Sequence, residues 1–267
     1  MIENAAQRCN AYRKKILALS RNVTALHVAP AFSCVEIVDA IYSRWISSTP
    51  APGAGKNIFI MSKGHGCLIQ YMILQERGLL TDQDLQNYCK PEGRLGAHPD
   101  YGTPGIEAST GSLGHGLGIA TGRALGKKLQ NDGGTVFCLL SDGELQEGST
   151  WEAVMMAANK ALNNLTVLVD NNDFSGLERM SEAHPALYPL VNKFQAFGWN
   201  ACEVDGHDSA AIDQAIATQS TAPKAIVCKT IKGKGVSYME HEPIWHYRSP
   251  NDEEYEIAMQ ELSRLAS

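Results

Sequence analysis

The chain has 267 residues and sets 23 Lys+Arg against 29 Asp+Glu, a formal net charge of −6. Hydrophobic residues make up 44% and charged residues 19%, a globular composition that excludes wholesale disorder and the basic footprint of a nucleic-acid binder. No apolar stretch approaches the ~18 residues of a membrane span, and the start MIENAAQRCNAYRKK lacks a secretory pattern. Seven cysteines, none in a CxxC spacing, argue against a disulfide framework or a zinc site, so a cytoplasmic chain is expected.

Ala5 to Leu19 reads as a helix, and a second is expected from Ser33, taken as its N-cap, to Trp45. The stretch STPAPGAGKN breaks the chain. Four apolar runs read as buried strands, Ile58–Met61, Val136–Leu140, Leu165–Val169 and Ala225–Cys228, with a weaker one at Ala201–Val204. Glu152–Leu162, without Gly or Pro, suits a crossover helix between the second and third, and Asp252–Leu265 suits a last helix. Strand, helix and strand at this spacing form a βαβ unit. The fold class is therefore α/β, a mostly parallel sheet flanked by helices on both faces, in one domain over 1–267.

Function is sought at the polar ends of the strands. Asp142-Gly143 follows the second strand and Asp170-Asn171-Asn172 the third. In a right-handed crossover unit both emerge at the same edge, where open α/β sheets bind ligands. A carboxylate, an amide and a backbone carbonyl beyond Asn172 make a partial set of hard oxygens of the kind Mg²⁺ uses together with phosphate. Gly143 leaves its backbone open to close approach. The competing reading is turn chemistry, since Asp-Gly recurs at 132–133 and 205–206 and Asn-Asn at 163–164.

Four histidines keep unusual company: His65 in SKGHG after the first strand, His98 in GAHP, His27 before the second helix and His246 after Trp245. Such groups hydrogen-bond sugar hydroxyls or diphosphate oxygens, or move protons near neutral pH. His184, His207 and His241 read as structural. The cluster from Ser109 to Gly122 places glycines at 114, 118 and 122, a bare stripe for close packing, and glycines at 111, 114 and 116, where a ligand could meet the backbone. No strand directly precedes it, so a dinucleotide fingerprint is not met.

Taken in order, SKGHG, GAHPD, ASTGSLGHGLG, SDGELQEGSTWEA, VDNND, KTIKGKGVSYME and WHYRSPNDEEYE resemble the N-terminal, diphosphate-binding subunit of a split transketolase, from about His27 to the last helix. The resemblance implies thiamine diphosphate and Mg²⁺ as cofactors. It implies Asp142, Asn172 and the Phe174 carbonyl as metal ligands, with Gly143 and Glu147 lining the cofactor and Gly111 and Leu113 on its aminopyrimidine side. His65 and His246 would stand around the diphosphate, and His27 and His98 would reach a ketose phosphate donor. The reaction implied is transfer of a two-carbon glycolaldehyde unit. The family's activating glutamate lies on another domain, so a separate C-terminal subunit in an α2β2 assembly is expected. Two departures stand out: His27-Val-Ala-Pro-Ala-Phe-Ser33 in place of the family's HPGGSLS, a bulkier segment beside the donor end, and the run Asp173-Phe-Ser-Gly beyond Asn172. They leave the acceptor open between an aldose and an acyl-carrier protein or lipoyl thiol. Decarboxylation of a 2-oxo acid, as in E1-alpha subunits, and a non-catalytic scaffold are the competing functions.

Overall fold

A computed structural model describes residues 4–23, 27–47 and 55–264. The apolar runs become β1 (Ile58–Met61), β2 (Val136–Ser141), β3 (Leu165–Asn171), β4 (Asn200–Asp205) and β5 (Lys224–Lys229). They pair in parallel throughout, in the spatial order β1-β2-β3-β5-β4. Side chains alternate across a strand, and the sheet divides the core accordingly. Phe59, Met61, Phe137, Leu139, Leu168 and Ile226 face one cluster, while Ile58, Ile60, Val136, Leu140, Val167 and Val227 face the other. Burial on both faces is why these runs read as continuous apolar stretches. The edge strand β4 buries only Ala201, which explains its weak signal.

On the first face lie α1 (Ala5–Leu19), α2 (Val28–Ser33), α3 (Val35–Ala40) and α4 (Cys67–Glu76); on the second lie α5 (Gly116–Leu129), α6 (Gly148–Asn159) and α7 (Leu190–Ala196). Helices α8 (Ser209–Ala217) and α9 (Asp252–Arg264) return to the first. Helix α1 has the expected bounds and a reciprocal cap, Gln7 N–H to Asn4 Oδ1 at 2.9 Å and Asn4 N–H to Gln7 Oε1 at 3.2 Å.

Three expectations need correction. The helix expected over Ser33–Trp45 begins earlier and is broken into α2, α3 and a π-helical turn at Ile41–Trp45, so Ser33 closes α2 and caps nothing. Its hydroxyl points inward and donates to Asp170 Oδ2 at 2.5 Å. The crossover helix α6 starts at Gly148 and ends before Ala161, whose φ of 46° halts it. The glycine stripe is not one packing surface among the described residues: Gly118 and Gly122, like Gly126, face open space, whereas Gly114 lies in the loop before α5 against Glu147 and Ser149. The last expected residue of the C-terminal helix, Leu265, and part of the STPAPGAGKN break lie outside the described residues. No helix is long and apolar enough to cross a membrane among the described residues.

Candidate cofactor site

Parallel register sets Ser141 beside Asp170, so the chain leaves β2 and β3 at adjacent points on one edge. Asp142 is fully buried there, and its two carboxylate oxygens accept the N–H groups of Gly143 (2.8 Å) and Asp173 (2.6 Å). Asp173, at a φ of 67°, reverses the chain after Asn172. Asn172 Oδ1 accepts the Phe174 N–H at 3.0 Å, and its amide donates to Ser33 Oγ at 3.2 Å. A short hairpin, Phe174–Ser175 paired with Glu178–Arg179, closes the turn. Thus Asp142, Asn172 and Phe174 are brought together by two strand tips. The space a side chain at Gly143 would take is filled by Ser175, so this glycine serves the packing of that hairpin.

The charges beneath this turn are unequal. Asp170 is fully buried and ion-paired with the equally buried Lys63, and it also accepts the hydroxyls of Ser33 and Thr230. No ion pair within 4 Å reaches Asp142 among the described residues. Burial, and then the neighbouring Asp170, push its carboxyl up to about 8, against the two N–H bonds and Lys63, which work the other way. A buried carboxylate in this state is stabilised by a cation. Among the described residues no three His, Cys, Asp or Glu side chains gather to hold a metal. The donors at hand are instead a carboxylate, an amide oxygen and backbone carbonyls, which fit a hard divalent ion that takes its remaining ligands from phosphate and water.

Motif reading assigned no role to two further buried charges. Glu144 accepts the Ser62 hydroxyl, the Gly114 N–H (2.9 Å) and the Ser141 N–H (3.4 Å), which ties β1, β2 and the glycine loop together. Lys232, just beyond β5, donates to Gly176 O at 2.9 Å and lies 3.1 Å from His246 Nδ1. Burial, and then Lys63, lower its ammonium to about 8. No ion pair within 4 Å relieves Lys232 among the described residues, and its setting fits an anion.

The four singled-out histidines converge. His27 stands 5.8 Å from His65, 5.9 Å from His98 and 5.5 Å from His246, ring centre to ring centre, and His65 and His246 are 5.6 Å apart. Tyr247 stands edge-on to His27 and His246. Burial comes first in lowering His27 to about 4 and His246 to about 3, and it also lowers His65, with Lys63 among the cations that add to it. At neutral pH these three are uncharged donor–acceptor groups. Gly111, at a φ of 147°, touches the His98 ring, and Gly64 abuts its backbone. Leu113 is half-buried in the same loop, whereas Glu147 is exposed at the start of α6, against Gly114. The departing segment after His27 lies under the site: Phe32 is fully buried, so its bulk fills core and not the donor mouth.

These histidines give the fold a testable pH dependence. The unfolded chain takes protons near 6.5 that folded His27 accepts only near 4 and folded His246 only near 3. Stability is therefore expected to fall as pH drops from 6.5 toward 4. Thermal melts across that range check it. A His27→Asn/His246→Asn chain should show a shallower slope, and an unchanged slope contradicts the burial of these rings.

A cavity of about 680 Å³ adjoins Asn172, Asp173 and Thr230, walled by Arg179 and Tyr188. A hollow of about 690 Å³ between Gln146, Trp151, His184 and Phe197 is lined by none of the four clustered histidines.

Fold and site together define an α/β chain that presents oxygen ligands and neutral imidazoles at the carboxyl edge of a parallel sheet, the architecture of a diphosphate-cofactor domain. The family described as "Transketolase, thiamine diphosphate binding domain" matches residues 7–261. The chain belongs to that family, and so to the transketolase class of transferases, as its thiamine diphosphate binding part. It is 35% identical to a subunit of the apulose-4-phosphate transketolase of Actinobacillus succinogenes, with 96% of this chain and 95% of that protein covered. It is 36% identical to human transketolase, but that match takes in 82% of this chain and only 36% of the human protein. Campylobacter jejuni transketolase superposes with a TM-score of 0.88 at 26% identity, over 98% of this chain and 43% of that one. The chain thus spans nearly all of the Actinobacillus subunit and less than half of the one-chain transketolases.

Proposed function

We propose that the chain is the cofactor-binding subunit of a cytoplasmic two-subunit enzyme, dependent on thiamine diphosphate and Mg²⁺, that moves a two-carbon ketol unit from a ketose phosphate to an acceptor. The observation that carries this reading is the buried Asp142, with no ion pair among the described residues, beside Asn172 and Phe174 at adjacent strand tips. Asp142, the Asn172 amide oxygen and the Phe174 carbonyl would hold the metal. Lys232 and the neutral His65 and His246 would meet the diphosphate. Gly111 and Leu113 would lie on the aminopyrimidine side and Gly143 and Glu147 along the cofactor.

When bound, thiamine diphosphate supplies the carbon nucleophile and the electron sink for breaking a ketose C–C bond. The chain's own part is placement and proton handling. His27 and His98 would bond the donor's hydroxyls and exchange protons with them. Several imidazoles in one cluster match a polyhydroxylated donor better than a 2-oxo acid. The names of two relatives support a ketose, one for apulose-4-phosphate and the other for 6-deoxy-6-sulfo-D-fructose in Clostridium sp..

A separate C-terminal subunit would supply the activating glutamate, in an α2β2 assembly. Both of those relatives are named as single subunits of a transketolase, which supports it, as does the open glycine face of α5. To test this, the chain is mixed with the product of the neighbouring gene, thiamine diphosphate, Mg²⁺ and a ketose phosphate. Two-carbon transfer is expected only from the mixture, with aldoses and an acyl-carrier protein thiol compared as acceptors. Release of CO₂ from pyruvate with no ketol transfer defeats the proposal.

A further inference from the structure

The turn from β5 to Lys232 has its backbone donors answered by two kinds of acceptor. Thr230 N–H goes to Asn171 O (3.0 Å) and Gly233 N–H to Ala29 O (3.2 Å). Ile231 N–H goes instead to a side chain, His207 Nε2, at 2.9 Å. That bond dictates the tautomer: Nε2 offers its lone pair, and the ring hydrogen sits on Nδ1. From there it is donated to Glu36 Oε2 at 2.9 Å. Glu36 is gripped by both Arg13 terminal nitrogens, at 2.6 and 2.7 Å, and Arg13 also donates to Phe32 O at 2.9 Å. Helix α1, helix α3 and the loop after β4 therefore converge on one backbone N–H.

The residue so held has a site group on each side. Thr230 gives its hydroxyl to Asp170, and Lys232 sends its ammonium to Gly176 O and His246. His207 itself is turned by its own N–H on Asp205 Oδ1 at 2.8 Å, so the imidazole is fixed at both ends. We infer that His207 is a positioning residue: through Ile231 it sets where the Lys232 ammonium stands in the cofactor site, while Glu36 and Arg13 lock the tautomer this requires. The inference rests on the reading of the site given above.

Two substitutions separate positioning from general support. His207→Asn keeps a donor toward Glu36 but is too short to reach Ile231, whereas His207→Gln places an acceptor oxygen near the position of Nε2. Thiamine diphosphate with Mg²⁺ is titrated calorimetrically into the chain assembled with its C-terminal subunit, in wild-type and Lys232→Met backgrounds. The asparagine variant is expected to raise the dissociation constant about tenfold and the glutamine variant by less than about twofold. In the Lys232→Met background the asparagine change should add less than about twofold, because coupled residues do not add. Equal losses in both backgrounds, no difference between Asn and Gln, or an asparagine chain that fails to fold would overturn the inference. A wild-type complex that binds no thiamine diphosphate sinks the site assignment and this inference with it. That outcome is distinct from a wild type that binds and is indifferent to residue 207.

Discussion

Lys63→Met is expected to destabilise the chain by about 3–5 kcal/mol, the usual cost of removing one partner from a buried ion pair. Lys63 and Asp170 are both fully buried, so loss of the ammonium leaves a carboxylate with no solvent to screen it. That carboxylate stands close enough to Asp142 to push its carboxyl up, so without Lys63 the Asp142 proton is held more tightly and the Asp170 charge is left unbalanced in a dry pocket. The Pro30 carbonyl, which accepts from Lys63 Nζ at 3.1 Å, also loses its donor. Urea unfolding of wild type, Lys63→Met, Asp170→Asn and the double variant measures the effect. The double variant should lose less than the sum of the two singles, since it removes both charges together. A loss under about 1 kcal/mol for Lys63→Met contradicts the buried pair.

Asp142→Ala should weaken thiamine diphosphate binding in the presence of Mg²⁺ at least about 100-fold, because even groups behind a metal's ligands cost 10–100-fold when removed. The same change should leave a second, independent mark on the metal-free chain. Asp142 has its carboxyl raised from an ordinary 3.8 to about 8 in the folded state. The folded chain therefore holds a proton that the unfolded chain gives up, and stability attributable to this group is full below about 4 and is lost as pH rises toward 8. Thermal melts from pH 4 to 8 should show it as the difference between the two chains: wild type gains stability relative to Asp142→Ala as pH falls from 8 toward 4, on top of the opposite histidine slope that both share. An alanine variant with unchanged cofactor affinity and an unchanged pH profile shows that Asp142 is not the metal's ligand.

The parts of this molecule that were legible in the sequence are those governed by apolar periodicity. β1 has its expected bounds, and β2, β3 and β5 differ from theirs by at most two residues at either end, because strands buried on both faces of a parallel sheet read as nearly continuous apolar runs. The bound of α1 at Asn4 was written in its cap. Where the signal failed, the reason is physical. Val28 to Tyr42 is buried throughout, so no polar stripe marked the breaks at Cys34 and Ile41. The convergence of the four histidines could be suspected from their glycine-flanked loops, but which of them touch is set by tertiary packing. Lys63, Glu144, Asp170 and Lys232 were invisible as a set: each charged residue alone reads as a turn or a solvated face, and only the fold shows all four buried within one site. The two ring bonds of His207 were hidden for the same reason, since its partners Glu36 and Ile231 lie 171 and 24 residues away.

The central claim is that the tips of β2 and β3 hold one metal ion and, through it, the cofactor's diphosphate. A crystal structure of the chain assembled with its C-terminal subunit, grown with thiamine diphosphate and Mn²⁺ in place of Mg²⁺, tests it most directly through the metal's anomalous signal. A single strong peak is expected within about 2.3 Å of Asp142, the Asn172 amide oxygen and the Phe174 carbonyl, with the diphosphate between it and Lys232. A peak elsewhere, or a diphosphate bound away from these strand tips, would contradict it.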